Sequence, residues 1–193
     1  MMHRLFFLLL IALLAGCDKA GPPRFHAGDV TDQYEQADFH LTDHNGKPRS
    51  LADFRGKVVV LFFGYTHCPD VCPTKLADLA QTLRLLGKDA DRVQVLFVTL
   101  DPERDTRELL AKFVPAFHPA ILGLYGDARA TAEVADTYRS DFHKHPTSSG
   151  YTLDHSTFTY LLDTQGKLRL MAGERQPSEW LAEDIRLLLA STR

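Results

Sequence analysis

The chain has 193 residues and a formal net charge of −3, and 45% of its residues are hydrophobic. This length and composition predict a single domain with a sizeable core. A mildly acidic chain without a run of basic residues is a poor candidate for nucleic-acid binding, so we expect no nucleic-acid partner.

The first predicted element is a secretory leader. Arg4 supplies a short positive region, and Leu5–Leu14 form an apolar run that is too short to span a bilayer stably. The run ends in LAGC at residues 14–17, which resembles the lipobox of bacterial lipoproteins, where the cysteine is lipidated and becomes the new N-terminus. We therefore predict a signal peptide over residues 1–16 and a lipid on Cys17.

Residues 17–37 are predicted to be a lipidated tether, because they contain Gly21, Pro22 and Pro23 and show no apolar periodicity. Asp18 directly after the cysteine favours retention in the inner membrane, as in enteric bacteria. The expected location is therefore the bacterial inner (cytoplasmic) membrane, lipid-anchored and facing the periplasm. The alternative is an ordinary signal peptide or a membrane anchor that happens to end in cysteine.

The domain itself is predicted over residues 38–193, with strands and helices that alternate along the chain. The run VVVLFF at 58–63 is typical of a buried central strand, and apolar residues at three- and four-residue steps from Leu76 to Leu86 predict a helix. In chain order we expect a hairpin over 39–51, a strand over 58–63, a helix ending near Gly87, a strand over 93–99, a helix over 106–117, a strand over 121–125, a helix over 128–138, a hairpin over 158–171 and a helix over 178–189. This order predicts an α/β layered sandwich.

The most informative motif is HCPDVCP at residues 67–73, directly after the first central strand. With Cys17 lipidated, Cys68 and Cys72 are the cysteines that remain in an oxidising compartment. A disulfide across so few residues closes a very small loop and can stabilise the fold only slightly. A redox couple, a peroxidase nucleophile and a metal site therefore remain open.

The position of the motif favours reactive thiols. A helix N-terminus offers free N–H groups and partial positive charge, which lower the pKa of a thiol. Pro73 fits the first helical turn and predicts Cys72 at or near the helix cap. Pro69 disfavours helical geometry in Cys68, which we expect on the preceding loop.

Two segments together carry a specific resemblance: FFGYTHCPDVCPTKLADL at 62–79 and YTLDHSTFTYLLDTQGKL at 151–168. They resemble the Sco/SenC family of membrane-tethered, thioredoxin-like copper proteins, which help assemble the copper site of respiratory cytochrome c oxidase. The resemblance runs from about Phe39 to the last helix. It implies a thioredoxin-like sandwich with a central sheet flanked by helices and an N-terminal hairpin. It also implies copper thiolates at Cys68 and Cys72 and a third ligand at His155, which we expect at the start of a strand.

The implied function is that of a copper chaperone rather than an enzyme. Two thiolates and one imidazole suit Cu(I) and Cu(II), whereas a closed zinc site needs four ligands. The implied partners are the copper-accepting subunit of cytochrome c oxidase and a periplasmic thiol reductant. The reductant is needed because the periplasm favours the Cys68–Cys72 disulfide.

Two classes of enzyme also use a reactive pair or a single reactive cysteine in a similar position. A thioredoxin-type thiol-disulfide oxidoreductase remains the alternative, although such enzymes usually have two residues between the cysteines and a proline near 154–157, where this chain reads DHST. A peroxiredoxin-like peroxidase is disfavoured, since Pro69 and Tyr65 stand where its threonine and proline would be. The roles of Asp70, of His143 and of His145 stay open; the two histidines lie in an expected loop before the ligand strand, where they could help capture copper.

Overall fold

The structure is a computed structural model that describes residues 24–34, 38–148 and 150–191. The predicted signal peptide, Cys17 and the start of the tether lie outside these residues. The strands are β1 (Gly28–Asp29), β2 (His40–Asp43), β3 (Pro48–Ser50), β4 (Val58–Gly64), β5 (Val93–Thr99), β6 (Ile121–Tyr125), β7 (Phe142–Thr147), β8 (Gly150–His155), β9 (Thr159–Leu162) and β10 (Leu168–Ala172). The α-helices are α1 (Val71–Leu86), α2 (Arg107–Phe113), α3 (Ala128–Thr137) and α4 (Ser178–Ser191), and short 3-10 helices cover Leu51–Phe54, Gly87–Arg92 and Val114–Ala116.

The core of the molecule is an 8-stranded sheet in the order β1-β10-β9-β4-β5-β6-β2-β3. β4 pairs in parallel with β5 from Val58↔Val93 to Gly64↔Thr99, and on its other side it pairs antiparallel with β9. Every residue of β4 is buried, as expected for a central strand with both faces covered. The predicted α/β layered sandwich with an N-terminal hairpin, β2–β3, is confirmed.

Helix boundaries follow local chemistry. The Thr106 hydroxyl accepts from the Leu109 N–H at the start of α2, and Asp127 caps α3 in the same way by accepting from Ala130. The single helix predicted over 106–117 is instead α2 followed by the 3-10 turn Val114–Ala116. Because Pro115 has no N–H, it cannot donate the next α-helical hydrogen bond, and the chain continues as a 3-10 turn.

The segment before the expected ligand strand is not a loop. β7 and β8 pair antiparallel as a separate two-stranded sheet, from Phe142↔His155 to Thr147↔Gly150. His155 is therefore the last residue of a hairpin, and its predicted place at the start of a strand was wrong. The polar sequence FHKHPT does not alternate with apolar residues, so it does not carry the pattern that predicts a strand.

The domain also starts earlier than predicted. Gly28 and Asp29 pair with β10, although they lie in the segment expected to be a tether. The backbone N–H groups of His26 and Ala27 donate to the buried Asp184 carboxylate at 2.8 and 2.9 Å. These contacts join residues 26–30 to the fold. They are made by backbone groups and do not require a periodic pattern of apolar side chains, so the sequence did not predict them. Within the described ranges, no helix has both the length and the apolar character needed to cross a bilayer.

Candidate metal site

The two cysteines lie at the connection between the end of β4 and the start of α1. Cys68 is on the connecting loop, as predicted, and is partly exposed, while Cys72 is fully buried. Asp70 occupies the N-cap position of α1 without a side-chain capping hydrogen bond, and Cys72 is the second residue of the helix, near the cap as predicted. Pro73 is then the third residue, still in the first turn, where its missing N–H costs no intrahelical hydrogen bond.

The structure brings together the three residues that were predicted as ligands. The Sγ atoms of Cys68 and Cys72 and a ring nitrogen of His155 all lie within 4.8 Å of one another. The distance between Cys72 Sγ and His155 Nε2 is 3.5 Å, and both thiols are free. The loop geometry that the sequence left open therefore turns both sulfur atoms towards the same imidazole.

The His155 ring is oriented by its other nitrogen. Nδ1 lies 2.9 Å from the carbonyl oxygen of Ser156. Because a carbonyl can only accept, Nδ1 carries a proton, and this hydrogen bond orients the ring with Nε2 towards the sulfur atoms. The ring of Tyr65 packs edge-on against the imidazole at 5.9 Å between centroids and restricts its rotation.

The two thiols have opposite protonation tendencies. Hydrogen bonding from the Cys72 thiol lowers the pKa of Cys68 to about 3, with further lowering by a hydrogen bond from the His155 imidazole and by the backbone N–H groups of Cys72 and Asp70. The pKa of Cys72 is raised, since its proton is held by Cys68 and its side chain is buried. At neutral pH the pair therefore holds one thiolate and one thiol, and a metal that binds both sulfur atoms must displace the Cys72 proton.

Asp105, which sequence reasoning missed, fixes the cysteine loop to the end of β5. Its fully buried carboxylate accepts from the Thr66 N–H at 2.9 Å, from the Thr66 hydroxyl at 2.5 Å and from the Thr99 hydroxyl at 2.6 Å. Thr66 comes two residues before Cys68, so these bonds restrict where the loop can place its sulfur atom. The signal in the sequence was two aspartates, Asp101 and Asp105, in the short segment between a buried strand and the next helix.

A second missed group positions the hairpin that carries His155. The Tyr151 hydroxyl donates to the buried Asp101 carboxylate at 2.6 Å. Arg104 pairs with the same carboxylate, donates to the Tyr151 carbonyl at 2.9 Å and lies over the Tyr151 ring at 3.7 Å. The hairpin is thus attached to the segment after β5, the same segment that holds the cysteine loop.

His67, Asp101 and Asp105 also cluster within 4.8 Å, but their arrangement does not favour a metal ion. The Asp105 oxygens already accept from Thr66 and Thr99. Asp101 is neutralised by the Arg104 guanidinium, whose positive charge opposes a cation at that position. We interpret this cluster as structural.

Gly64 lets the sheet approach Cys72 closely. A Cβ at this position would lie 2.8 Å from Phe97 Cε2 and 2.9 Å from Cys72 Sγ, closer than real contacts allow. Both neighbours are fully buried and cannot move away freely. The lack of a side chain at Gly64 is therefore what leaves room for the Cys72 sulfur.

We expect Gly64→Ala to lower the free energy of unfolding by about 1–3 kcal/mol, the usual cost of overpacking a core, and to displace the Cys72 sulfur. Urea unfolding measures the first effect, and the rate at which a thiol reagent modifies the cysteines reports the second. Gly173→Ala is the matched control, because a Cβ there meets no atom within 4 Å. Equal stability of the two variants would contradict the close approach at Gly64.

The fold and the residue set together define the class: a thioredoxin-like domain with a Cys-Cys-His candidate metal site after its first central strand. A model of the SCO1/SenC family matches residues 28–190, and the chain belongs to this family. The human mitochondrial SCO2 homolog is 40% identical over 162 residues, which cover 82% of this chain and 61% of that protein. The chain thus spans somewhat less than two thirds of the length of this relative.

Solved structures of relatives have the same fold. The copper-bound ScoI of Bradyrhizobium japonicum is 41% identical, with a TM-score of 0.73, and the match covers 78% of this chain and 97% of that one. Copper-bound yeast Sco1 is 31% identical, with a TM-score of 0.71 over 85% of this chain and 87% of that one. The predicted family and thioredoxin-like fold are confirmed.

Proposed function

We propose that this protein is a periplasmic, lipid-anchored copper chaperone. It binds copper through Cys68, Cys72 and His155 and delivers it to the copper-accepting subunit of cytochrome c oxidase. The observation that carries the proposal is the convergence of two sulfur atoms and an imidazole nitrogen within 4.8 Å. Its family membership supports it, as do the copper-bound structures of the two relatives.

The ligand set suits a carrier that must both hold and release its cargo. Thiolates are soft and favour Cu(I), while the imidazole adds the nitrogen that Cu(II) prefers. Three protein ligands leave a coordination position open, through which a ligand of the acceptor can enter. Cys68 is the partly exposed member of the set, so exchange is expected to begin at its sulfur.

A second candidate function is reduction of the acceptor's disulfide. A low pKa at the partly exposed Cys68, with the protonated Cys72 buried behind it, is the arrangement of an attacking thiolate and a resolving thiol. In that reaction Cys68 attacks the target disulfide, Cys72 displaces the target thiolate, and two electrons pass to the target. The protein ends with a Cys68–Cys72 disulfide, which a periplasmic thiol reductant must reopen.

One experiment separates the two functions. The Cu(I)-loaded chain is mixed with the copper-accepting domain of the oxidase with its cysteines reduced, and the reduced, metal-free chain is mixed separately with the oxidised acceptor. A chaperone transfers copper to the reduced acceptor without oxidation of either protein's cysteines. Absence of copper transfer in the first mixture, with loss of two thiols from this protein and gain of two by the oxidised acceptor in the second, would instead support the reductase.

The membrane anchor gives a prediction of its own. Cys17→Ser is expected to block lipidation and to leave the precursor unprocessed or the protein released from the membrane, because serine cannot form the thioether to the lipid. Membrane fractionation and the mass of the mature N-terminus measure this, with Cys68→Ser as the control that keeps the lipobox. Mature wild-type protein found wholly in the soluble periplasmic fraction would reject the anchor.

A further inference from the structure

Tyr65 contacts all three residues of the candidate metal site. It is the first residue after β4 and comes three positions before Cys68. Its carbonyl oxygen accepts from the Cys68 N–H at 3.3 Å, and its own N–H donates to the Cys72 sulfur. Its ring packs edge-on against the His155 imidazole. The backbone of Tyr65 is therefore fixed to the two cysteines, while its side chain reaches the histidine.

The Tyr65 hydroxyl lies against β8, the strand that ends at His155. Its oxygen is 2.8 Å from the Thr152 hydroxyl oxygen, and it accepts from the Leu153 N–H at 3.3 Å. Tyr65 is only 2% exposed, so both contacts are shielded from competing water. They join the connection between β4 and α1 to the hairpin across 87 and 88 residues of sequence.

The register of the hairpin explains why the Leu153 N–H is available to Tyr65. The Ser156 N–H donates to the Asp141 carbonyl at 3.0 Å, and these two residues continue the register of the hairpin. Hydrogen-bonded and non-hydrogen-bonded positions alternate along an antiparallel ladder, so Leu153, three residues before Ser156, occupies a non-hydrogen-bonded position. Its N–H therefore points away from β7. Because Leu153 is buried, leaving this N–H without an acceptor would be costly, and the Tyr65 hydroxyl satisfies it.

We propose that Tyr65 is a positioning residue for the copper site, and that its hydroxyl determines how tightly the site holds Cu(II) relative to Cu(I). The inference rests on the proposed copper binding. The hydroxyl fixes β8 and so keeps the His155 imidazole close to the two sulfur atoms. Cu(II) prefers a shell that includes this nitrogen, whereas two thiolates satisfy Cu(I). Loss of the hydroxyl therefore weakens mainly the binding of Cu(II).

Tyr65→Phe in the full chain tests the proposal, because it removes the hydroxyl and keeps the ring beside His155. We expect the affinity for Cu(II) to fall roughly 10- to 100-fold, the usual cost of losing a group that orients a metal ligand, and the affinity for Cu(I) to stay at the wild-type level. The thiolate charge-transfer band of bound Cu(II) should also shift, since the imidazole is no longer held in one position. Competition with a chelator for each copper state, anaerobically for Cu(I), measures both affinities.

Two further measurements isolate the contacts of the hydroxyl. Thr152→Val removes the partner hydroxyl and keeps the bond from Leu153, so we expect a smaller loss of Cu(II) affinity in the same direction; this variant carries the test if Tyr65→Phe does not fold. Amide hydrogen exchange of the reduced, metal-free chain needs no copper. The Leu153 amide should exchange faster in Tyr65→Phe than in the wild type, and an unchanged rate would show that the hydroxyl does not hold β8.

Tyr138→Phe is the matched control. It also removes a buried tyrosine hydroxyl, but one without a hydrogen-bond partner among the residues that the structure describes. Both copper affinities should stay unchanged in it, and circular dichroism checks that every variant is folded. If the wild type binds both copper states and Tyr65→Phe weakens both equally, or neither, this inference alone is overturned. A wild-type chain that binds no copper would overturn the proposed function and the inference with it.

Discussion

Cys68→Ser and Cys72→Ser are each expected to lower the affinity of the reduced chain for Cu(I) by at least about a hundredfold. Loss of a residue that only hydrogen-bonds to a metal ligand typically costs about 10- to 100-fold, and loss of the ligand itself should cost more. One remaining thiolate with an imidazole cannot hold a soft ion as two thiolates do. The wild-type chain should bind one Cu(I). Competition with a chromophoric Cu(I) chelator under anaerobic conditions measures both the stoichiometry and the affinity.

The control for this experiment is Thr74→Ser, an exposed change in the same turn of α1. It should leave Cu(I) binding at the wild-type level. Thermal unfolding of the apo proteins is needed for Cys72→Ser in particular, because that side chain is fully buried and next to Gly64. Wild-type Cu(I) affinity in both folded cysteine variants would show that HCPDVCP is not a metal-binding motif.

The second large effect is expected at His155 and depends on the oxidation state of the metal. His155→Ala should largely keep Cu(I), which two thiolates satisfy, and lose stable Cu(II) binding at the cysteine site. Without the Nε2 donor the Cu(II) shell is underfilled, and the metal oxidises the thiolates. Titration of both copper states, with Cu(II) followed by its thiolate charge-transfer band, measures the difference.

His155→Asn is a useful second variant, because it keeps a polar side chain beside Tyr65 but has no imidazole nitrogen. The Cys68–Cys72 redox couple should survive in both variants with a shifted potential at most. An unchanged charge-transfer spectrum and affinity in His155→Ala would show that His155 is not a ligand and would favour the reductase.

The sequence correctly predicted the strands and helices whose apolar residues follow a regular spacing. The all-apolar run of β4 and the three- and four-residue steps of α1 located the strand and helix that present the cysteines, and Pro69 correctly placed Cys68 off the helix. His155 was found through the motif resemblance and not through any periodicity.

The features that the sequence did not predict depend on contacts between segments that are far apart along the chain. The residues just before β1, His26 and Ala27, are held by the Asp184 carboxylate, which is 158 and 157 residues away along the chain, and no local pattern predicts such a bond. The β7–β8 hairpin depends on the Tyr151 hydroxyl reaching Asp101 across 50 residues. Asp105 likewise looks like any polar residue after a strand until the fold brings Thr66 to it.

The two-stranded sheet has a mechanical consequence for ligand exchange. The cysteines belong to the rigid body built on β4, whereas His155 ends a hairpin whose strands pair only with each other in the part of the chain that the structure describes. If the hairpin moved, His155 would separate from the two sulfur atoms without the loss of a hydrogen bond of the central sheet. Displacing the hairpin would break the contacts of Arg104 and Tyr151 with the segment after β5 and would remove the buried Leu153 from the core, so its position depends on both polar contacts and apolar packing.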